Sequence, residues 1–311
     1  MSTIPNPDTE HHFVPCPACG GDDMRLLYRK FNAPVAQCTA CGMVMPNPRI
    51  PHDHIRQRYS DAYFWNEYLP AQGIHTSAEF DPESNDKRYA PLLELIRHNS
   101  PSGQTLFEIG VGSGFFLKAA ERAGWHASGS DISPASIAFA RETLHLDVHP
   151  WSAEDLAIHL PPGSIDVVVM LDVIEHLLDA HAALTAIHQV LSPGGILVVL
   201  TPNLDSFSHF ALKEDWAIIS PAEHTYNFSE RTLKRTLCRA GFPTVNFKHR
   251  TYADFRLSGT MNYRNTHAPN SSRTKAYRLF VRIFGPFVLP FVKAFGLGDV
   301  LLAIAHKSAP R

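Results

Sequence analysis

The sequence predicts an α/β protein built on a doubly wound, largely parallel sheet, with a small cysteine-rich unit ahead of it. Two observations carry this prediction. From residue 104 onward, short apolar runs alternate with segments of helical spacing, which is the pattern of repeated βαβ units. Between residues 16 and 41, four cysteines stand in two C-x2-C pairs. The 311 residues suffice for one large domain and a smaller one.

The composition is that of an ordinary soluble globular protein. Hydrophobic residues make up 44% of the chain and charged residues 19%, and 28 Lys and Arg against 30 Asp and Glu give a formal net charge of −2. This balance disfavours a protein that coats nucleic acid through bulk charge. The first residues lack the basic start and apolar run of a secretory signal, so we expect a cytoplasmic location.

The first element is a predicted zinc ribbon in residues 1–50. Its cysteine pairs, Cys16 with Cys19 and Cys38 with Cys41, are separated by 18 residues, a spacing typical of a tetrahedral zinc site. A glycine follows each pair and permits the tight turn that such a site needs. Four protein ligands leave no open position, so we expect a structural Zn²⁺. Two disulfides are the alternative, which a reducing cytoplasm disfavours.

Residues 51–100 are predicted to form a helical linker region, and residues 101–311 the large domain. The linker ends in a helix over KRYAPLLELIRHN, before Pro101. In the large domain, strands are predicted for six apolar runs: QTLFEIG, HASGSD, IDVVVMLDVI, ILVVLTPN, PTVNFKHRTY and DVLLAIAHK. Two helices are predicted between them. One is PASIAFARETL, which Ser133 and Pro134 open, and the other is HAALTAIHQVLSPGG, which ends in a Pro-Gly-Gly stop. Cys238 has helical spacing and is expected to be a small core residue.

A glycine-rich loop follows the first strand of the large domain. It has the form E-x-G-x-G-x-G, and Phe115 stands where the dinucleotide fingerprint G-x-G-x-x-G requires glycine. Glycines there let the backbone approach a bound molecule without interference from a Cβ atom. Asp131 ends the second strand, where a carboxylate can accept both hydroxyl hydrogens of a ribose. Polar groups also follow the next two strands, so four strand ends converge on one predicted crevice.

These motifs, in this order, resemble the class I S-adenosylmethionine-dependent methyltransferases over about residues 88–245. The resemblance implies a Rossmann-like, doubly wound, seven-stranded methyltransferase sheet and S-adenosylmethionine as cofactor. It implies that the glycine loop surrounds the methionine portion, that Asp131 binds the ribose hydroxyls, and that the other strand ends border the adenine and the sulfonium. The cofactor-binding residues implied in this way are Glu108, Gly110, Gly112, Gly114, Asp131, Ile132, Ala153, Glu154, Leu171 and Asp172.

The segment Pro221-Ala222-Glu223-His224 is the candidate catalytic motif. It resembles the P-x-E-H stretch of deoxysugar C-methyltransferases, which also carry a four-cysteine zinc region, and the same histidine position recurs in relatives of the ubiquinone-pathway O-methyltransferases. The resemblance implies that Glu223 and His224 lie at the reactive atom, with His224 as general base. The alternative is that His224 orients a lid before a helix capped by Ser229.

Asp172 and Glu175 form a second acidic group near the predicted crevice. In ubiquinone-pathway relatives a neighbouring acidic cluster can hold a divalent ion. Too few hard oxygen ligands are visible here for Mg²⁺, and a helix N-terminus attracts carboxylates without any catalytic reason. We therefore do not expect metal dependence beyond the zinc.

Residues 255–298 are predicted to be an insertion of different character. They contain seven Lys and Arg and no Asp or Glu, and their second half is dense in Phe, Val, Leu and Ile. Arg282, Gly285, Pro286 and Pro290 interrupt the run that a transmembrane helix needs. The favoured interpretation is a lid or dimer contact. The alternative is peripheral membrane contact through residues 279–295 at the inner membrane face.

Three functions are weighed. The first is a methyltransferase acting on a small molecule or glycan precursor, where the insertion and Arg49, Arg56 or Arg58 would suit an anionic diphosphate acceptor. The second is an RNA base methyltransferase that uses the ribbon to bind RNA. Residues 13–50 contain only four basic residues, too few for a strong contact with a phosphate backbone, and the N-P-P-Y/F motif of some base-modifying enzymes is missing, so this function is disfavoured. The third is a scaffold without catalysis, which the glycine loop and His224 disfavour. The sequence does not choose between O- and C-methylation or fix the oligomeric state.

Overall fold

The computed structural model describes residues 12–49, 61–71, 80–250 and 271–309. The predictions for Arg56, Arg58 and residues 255–270 lie outside these described residues.

The N-terminal unit is a three-stranded antiparallel sheet. Its strands, in the order of the sheet, are β1 (Met24–Lys30), β2 (Ala33–Cys38) and β3 (Val44–Pro46). Both expected turns are present: the Gly20 amide donates to the Cys16 carbonyl at 2.7 Å, and the Gly42 amide to the Cys38 carbonyl at 2.9 Å. Their φ angles of +78° and +87° require glycine. The two cysteine pairs are thereby brought to one end of the sheet.

The described part of the linker region is helical. Helix α1 (Asp61–Tyr63) continues through a π-helical turn (Phe64–Tyr68) into α2 (Leu69–Ala71). Helix α3 (Pro82–Asn99) begins earlier than predicted, because the Asp81 carboxylate caps its first turn by accepting from the Glu83 and Ser84 amides. Helix α3 ends before Pro101, as expected.

The large domain contains a seven-stranded sheet in the order β6-β5-β4-β7-β8-β10-β9. Strands β4 to β8 pair in parallel, whereas β10 runs antiparallel to both β8 and β9. The predicted seven-stranded, doubly wound sheet is therefore confirmed. Its strands are β4 (Thr105–Ile109), β5 (His126–Ser130), β6 (Val148–His149), β7 (Ile165–Leu171), β8 (Leu191–Pro202), β9 (Thr244–Arg250) and β10 (Val300–His306).

The core lies on both faces of this sheet. In β7, Val167 and Val169 pack into one hydrophobic layer, and Val168 and Met170 into the other, all fully buried. This alternation explains the unbroken apolar run in the sequence. Among the described residues, α3, α4 (Phe115–Arg122) and α5 (Pro134–Glu142) pack in the layer of Val167, and α6 (Leu156–His159), α7 (Ala180–Val190) and α9 (Glu230–Arg239) pack in the layer of Val168. Helices α8 (Phe207–Leu212) and α10 (Ser272–Ala294) pack instead in a third, smaller cluster.

Several predicted boundaries can be compared with the structure. Ser133 caps α5 as expected, since its side chain accepts from the Ser136 amide. Helix α7 ends at Val190 and β8 begins at Leu191, so the Pro-Gly-Gly sequence expected as a helix stop lies within the start of the strand. The expectation for Cys238 is wrong, because its side chain lies on the exposed side of α9.

The zinc-ribbon unit packs directly on residues 203–229, which we call the lid. The Asn227 amide donates to the Val44 carbonyl at 2.9 Å, and the buried Lys30 ammonium donates to the Trp216 carbonyl at 2.7 Å. Val35 and Val44 share a hydrophobic cluster with Trp216 and neighbouring lid residues. The ribbon and the lid are therefore one packed structure, and the ribbon positions the segment that carries the candidate catalytic motif.

Helix α10 continues through Pro286 and Pro290, two of the residues that interrupt the apolar run of this segment. Both prolines lie on the solvent side of the helix, where water can satisfy the carbonyl groups that each ring leaves without a donor. Within the ranges that the structure describes, no helix is long and apolar enough to cross a membrane.

Candidate active site

The glycine loop between β4 and α4 forms the floor of the site. Gly110, Gly112 and Gly114 have φ angles of +73°, +55° and +77°, a backbone region that side chains other than glycine rarely adopt. A Cβ atom on Gly110 would lie 2.5 Å from the Val173 side chain, and one on Gly114 2.8 Å from Leu146. The loop therefore requires glycine for both backbone conformation and space.

Asp131 is bound to this loop at the end of β5. One carboxylate oxygen accepts from the Gly112 amide at 2.7 Å and the other from the Ser133 amide at 2.8 Å. Burial raises the pKa of Asp131, and these two amides act against the rise. Because each carboxylate oxygen has a second lone pair, the group can still accept hydrogen bonds from a ligand.

Glu108 is buried beside Asp131. It is 3% exposed, and its pKa is raised well above the ordinary value by burial and then by the charge of Asp131. Within the described residues, its Oε2 atom has no hydrogen-bond partner. A buried carboxyl oxygen without a partner is costly, and a ligand carrying a hydrogen-bond donor would satisfy it.

The other predicted cofactor residues lie at the ends of β5, β6 and β7. Ile132 is 53% exposed, although it is a large apolar residue, and Ala153 is buried. Glu154 is half-buried, and its carboxylate accepts from the Asp179 amide at 3.4 Å, at the start of α7. Leu171 is half-buried and packs against the hydrophobic layer that contains α4 and α5. The exposed Ile132 is the member of this group that offers an apolar surface to a ligand.

Asp172 and Glu175 form a buried acidic pair after β7. Burial raises the pKa of Asp172 to about 7, and burial together with Asp172 raises that of Glu175 well above its usual range. The Thr201 hydroxyl donates to Glu175 at 2.9 Å, whereas Oδ1 of Asp172 has no partner among the described residues. The φ of Asp172 is +55°, so the backbone is strained at this position.

Two histidines meet where the lid contacts the end of β7. The His176 and His224 rings are in edge-to-face contact, with centroids 4.7 Å apart. Nδ1 of His176 lies 2.9 Å from the Glu223 carbonyl, and Nδ1 of His224 lies 2.6 Å from the Ile218 carbonyl. Because a carbonyl only accepts, each Nδ1 carries the hydrogen, and each neutral ring has its lone pair on Nε2.

Glu223 and His224 thus differ in what they contribute. His224 is 6% exposed, and its own ring contacts that of His176. Glu223 contacts the histidine pair through its backbone carbonyl, which fixes the tautomer of His176. The sequence singled out the Glu223–His224 pair but did not place His176 beside it, because that contact depends on the path of the lid.

Among the residues that the structure describes, two clusters offer several metal-ligating atoms at short range. One is the four cysteines Cys16, Cys19, Cys38 and Cys41, and the other is Glu175 with His176 and His224; within each, the ligand atoms lie within 4.8 Å of one another. Two sulfur–sulfur distances are 3.4 Å and 3.5 Å, far longer than a disulfide bond of about 2.05 Å. Zinc–sulfur bonds of about 2.3 Å place tetrahedral sulfurs about 3.8 Å apart, so the cysteine cluster fits Zn²⁺.

Tyr68 is a site residue that the sequence did not indicate. A Cβ atom on Gly112 would overlap its hydroxyl group, so the tyrosine lies directly over the glycine loop. Its ring stacks on Phe64 at 5.8 Å, and Phe64 contacts Phe139 of α5. The aromatic density of this segment was visible in the sequence, but no motif linked it to the loop.

Arg49 was weighed from the sequence as a contact for an anionic diphosphate acceptor. Its side chain is 5% exposed, donates to the Leu178 carbonyl at 2.6 Å and stacks over the Tyr226 ring at 4.7 Å. It therefore fastens the end of the ribbon to the lid and is not available to an anionic acceptor at the surface.

Comparison with known proteins places this site in a family. The family model described as "Methyltransferase domain" matches residues 82–246. The chain is 33% identical over 135 residues to the ubiquinone biosynthesis O-methyltransferase of Cereibacter sphaeroides, covering 41% of this chain and 54% of that protein. To the protein of the same name from Xanthomonas campestris pv. campestris it is 32% identical over 169 residues, covering 51% and 66%. The chain thus spans about half the length of the first of these relatives.

A solved structure covers more of the chain. The [4+2]-cyclase SpnF aligns over 86% of this chain and 99% of its own, with a TM-score of 0.51 and 16% identity. At that identity the likeness shows the fold alone. Because the family model covers more than half of the 311 residues, the chain belongs to the methyltransferase domain family.

Proposed function

We propose that this protein is an S-adenosylmethionine-dependent methyltransferase that methylates an oxygen or carbon atom of a small molecule or glycan precursor. The observation that carries the proposal is that the glycine loop and the His176–His224 pair both adjoin the segment after β7: a Cβ atom on Gly110 would meet Val173, and the His176 amide donates to the Val173 carbonyl at 2.9 Å. The glycine loop with Asp131 lies at the ends of the parallel strands, and the His176–His224 pair lies at the end of β7, beside the lid. Family membership and the curated relatives support the same class of reaction.

The residues at the glycine loop fit the cofactor. Backbone without side chains forms the floor, Asp131 offers acceptor lone pairs to ribose hydroxyls, and Glu108 has a buried oxygen suited to a donor group. Ile132 offers an exposed apolar surface for the adenine. S-adenosylmethionine bound in this position supplies a methyl carbon attached to a positively charged sulfur. The protein has to hold the acceptor in line with that carbon and exclude water.

His224 acts as the general base in this proposal. With Nδ1 held by the Ile218 carbonyl, the lone pair on Nε2 can accept the proton of an acceptor hydroxyl or of an acidic carbon. The buried carboxyl of Glu175, fixed by Thr201, lies beside the ring and can stabilise the imidazolium that forms. Glu223 positions His176 through its carbonyl.

Zinc has a structural role in this proposal. The four cysteines close the ribbon, and burial raises the pKa of Cys16 and Cys41, so a cation is needed to hold buried thiolates. The ribbon packs on the lid through Lys30, Val44 and Asn227. Zinc therefore holds the lid, which carries His224, more directly than it holds the glycine loop.

The test is methyl transfer from S-adenosylmethionine labelled with tritium in the methyl group. The protein is incubated with separate fractions of extracted metabolites, glycan precursors and RNA. We expect label in a small-molecule or glycan fraction, at a rate that depends on His224. Label confined to RNA would replace the proposed acceptor class, and no transfer to any fraction by a protein that binds the cofactor would favour a scaffold without catalysis.

A further inference from the structure

Helix α10 exposes a row of aromatic side chains to solvent. Phe287 and Phe291 are 73% and 66% exposed, and Phe295, one turn further, is 75% exposed. Phe210 of the neighbouring helix α8 is 78% exposed. Single exposed apolar residues are common, but a continuous group of this kind marks a surface that contacts another body.

The opposite face of α10 is fixed to the protein. Thr274, Gly285 and Val292 are buried, and they recur at whole turns of a helix, so they define one face. Near its N-terminal end, α10 is also held to α8, since the Tyr277 hydroxyl lies 2.6 Å from that of Ser208 and the Phe280 ring contacts that of Phe207. The phenylalanines therefore project from a helix that is already anchored, and they are not needed for its packing.

The charge of this segment has one sign. The charged residues between positions 272 and 298 are all basic, namely Arg273, Lys275, Arg278, Arg282 and Lys293. Arg273 is paired with Glu214 at 2.9 Å. Lys275 and Arg282 are exposed, two turns apart, on the flank beside Leu279. Phenylalanine and leucine on one flank and basic residues on the next is the pattern of a helix that lies in the plane of a membrane interface.

We propose that α10 docks the protein on the surface of an anionic phospholipid bilayer. Phe287 and Phe291 insert among the acyl chains, and Lys275 and Arg282 contact the lipid phosphates. A dimer in which α10 packs on α10 of a second copy is disfavoured. Both surfaces would carry the same basic residues and no acidic residue from this segment, so like charges would face each other. The inference goes beyond the proposed methyltransferase activity and does not depend on it.

The test is flotation of the full chain with vesicles of two compositions. One contains phosphatidylcholine alone, and the other contains equal parts of phosphatidylcholine and phosphatidylglycerol. We expect binding to the anionic vesicles, with a loss of about tenfold or more for the double variant Phe287→Ser/Phe291→Ser. Substituting Lys275→Ser and Arg282→Ser should weaken binding by about fivefold for each cation removed.

The matched controls are Phe13→Ser and Lys87→Ser. These side chains are 80% and 73% exposed on other parts of the molecule, and the changes should leave flotation as in the wild type. All variants should keep wild-type affinity for S-adenosylmethionine, which separates loss of docking from loss of fold. The proposal is overturned by absence of flotation, by equal binding to both vesicles, or by a Phe287→Ser/Phe291→Ser variant that floats normally and converts a dimer to a monomer.

Discussion

Asp172→Asn should stabilise the folded protein at neutral and alkaline pH. Burial raises the pKa of Asp172 from 3.8 to about 7, so the folded state holds a proton that the unfolded state releases. The stability associated with this proton is fully present below pH 3.8 and is lost as the pH rises to about 7. Asparagine has nearly the same shape and no charge, so it avoids that loss.

The size of the effect follows from the two pKa values. At about 1.4 kcal/mol per pKa unit, the difference between the two pKa values means that ionisation of Asp172 lowers the free energy of unfolding by at most about 4 kcal/mol above pH 7. Residual contact with water lowers this, so we expect a gain of at least about 1 kcal/mol for Asp172→Asn at pH 8, and a smaller gain near pH 5. The gain should stop increasing above the folded-state pKa.

The assay is urea denaturation of wild type and Asp172→Asn, without cofactor, at several pH values between 4 and about 9. Asp155→Asn, at an exposed position, is the matched control. Water solvates an exposed carboxylate in both states, so its effect should be small at every pH. An Asp172→Asn variant no more stable than the wild type at pH 8, or with a pH-independent difference, would refute the assignment of Asp172 as a buried carboxyl with a raised pKa.

Three further predictions concern the site itself. His224→Asn should lower the turnover by about 10² to 10⁴-fold while calorimetry finds unchanged cofactor affinity, and wild-type turnover would reassign His224 to lid structure. Gly112→Ala should weaken S-adenosylmethionine binding, because the added Cβ atom would overlap Tyr68 at a position whose φ is +55°. The control is Gly124→Ala, which also has a positive φ but places its Cβ atom more than 4 Å from any neighbour, and it should leave binding unchanged. Chelation of zinc should release ribbon and lid together, raising the proteolysis of residues 203–229 and lowering turnover more than cofactor affinity; a lid that stays protected after measured zinc loss contradicts this coupling.

The sheet and the glycine loop were predictable because their signals are local. The alternating burial of β7 produces an unbroken apolar run, and the positive φ angles at Gly110, Gly112 and Gly114 require glycine at fixed spacing. The cysteine pairs likewise have the spacing that their turns impose. Each of these features is set by neighbours a few residues away, so the sequence contains it directly.

The histidine pair and its surroundings were less predictable because they depend on tertiary paths. His176 meets His224 only because the lid returns across the end of β7, and Tyr68 covers Gly112 only because the linker crosses the loop. Arg49 was weighed as a contact for an anionic acceptor, yet it is buried over the Tyr226 ring. Helical spacing did not reveal which side of α9 faces the core, so Cys238 was misplaced.

The most direct measurement is calorimetric binding of S-adenosylmethionine to the wild type and to Asp131→Ala. Hydrogen bonds to a charged group contribute about 1.5–3 kcal/mol, and Asp131 also fixes Gly112 in the loop. We therefore predict saturable binding at one site in the wild type and a loss of at least about tenfold in Asp131→Ala. Equal affinity of the two proteins, or no binding by the zinc-loaded wild type, would contradict the assignment of this crevice as the cofactor site.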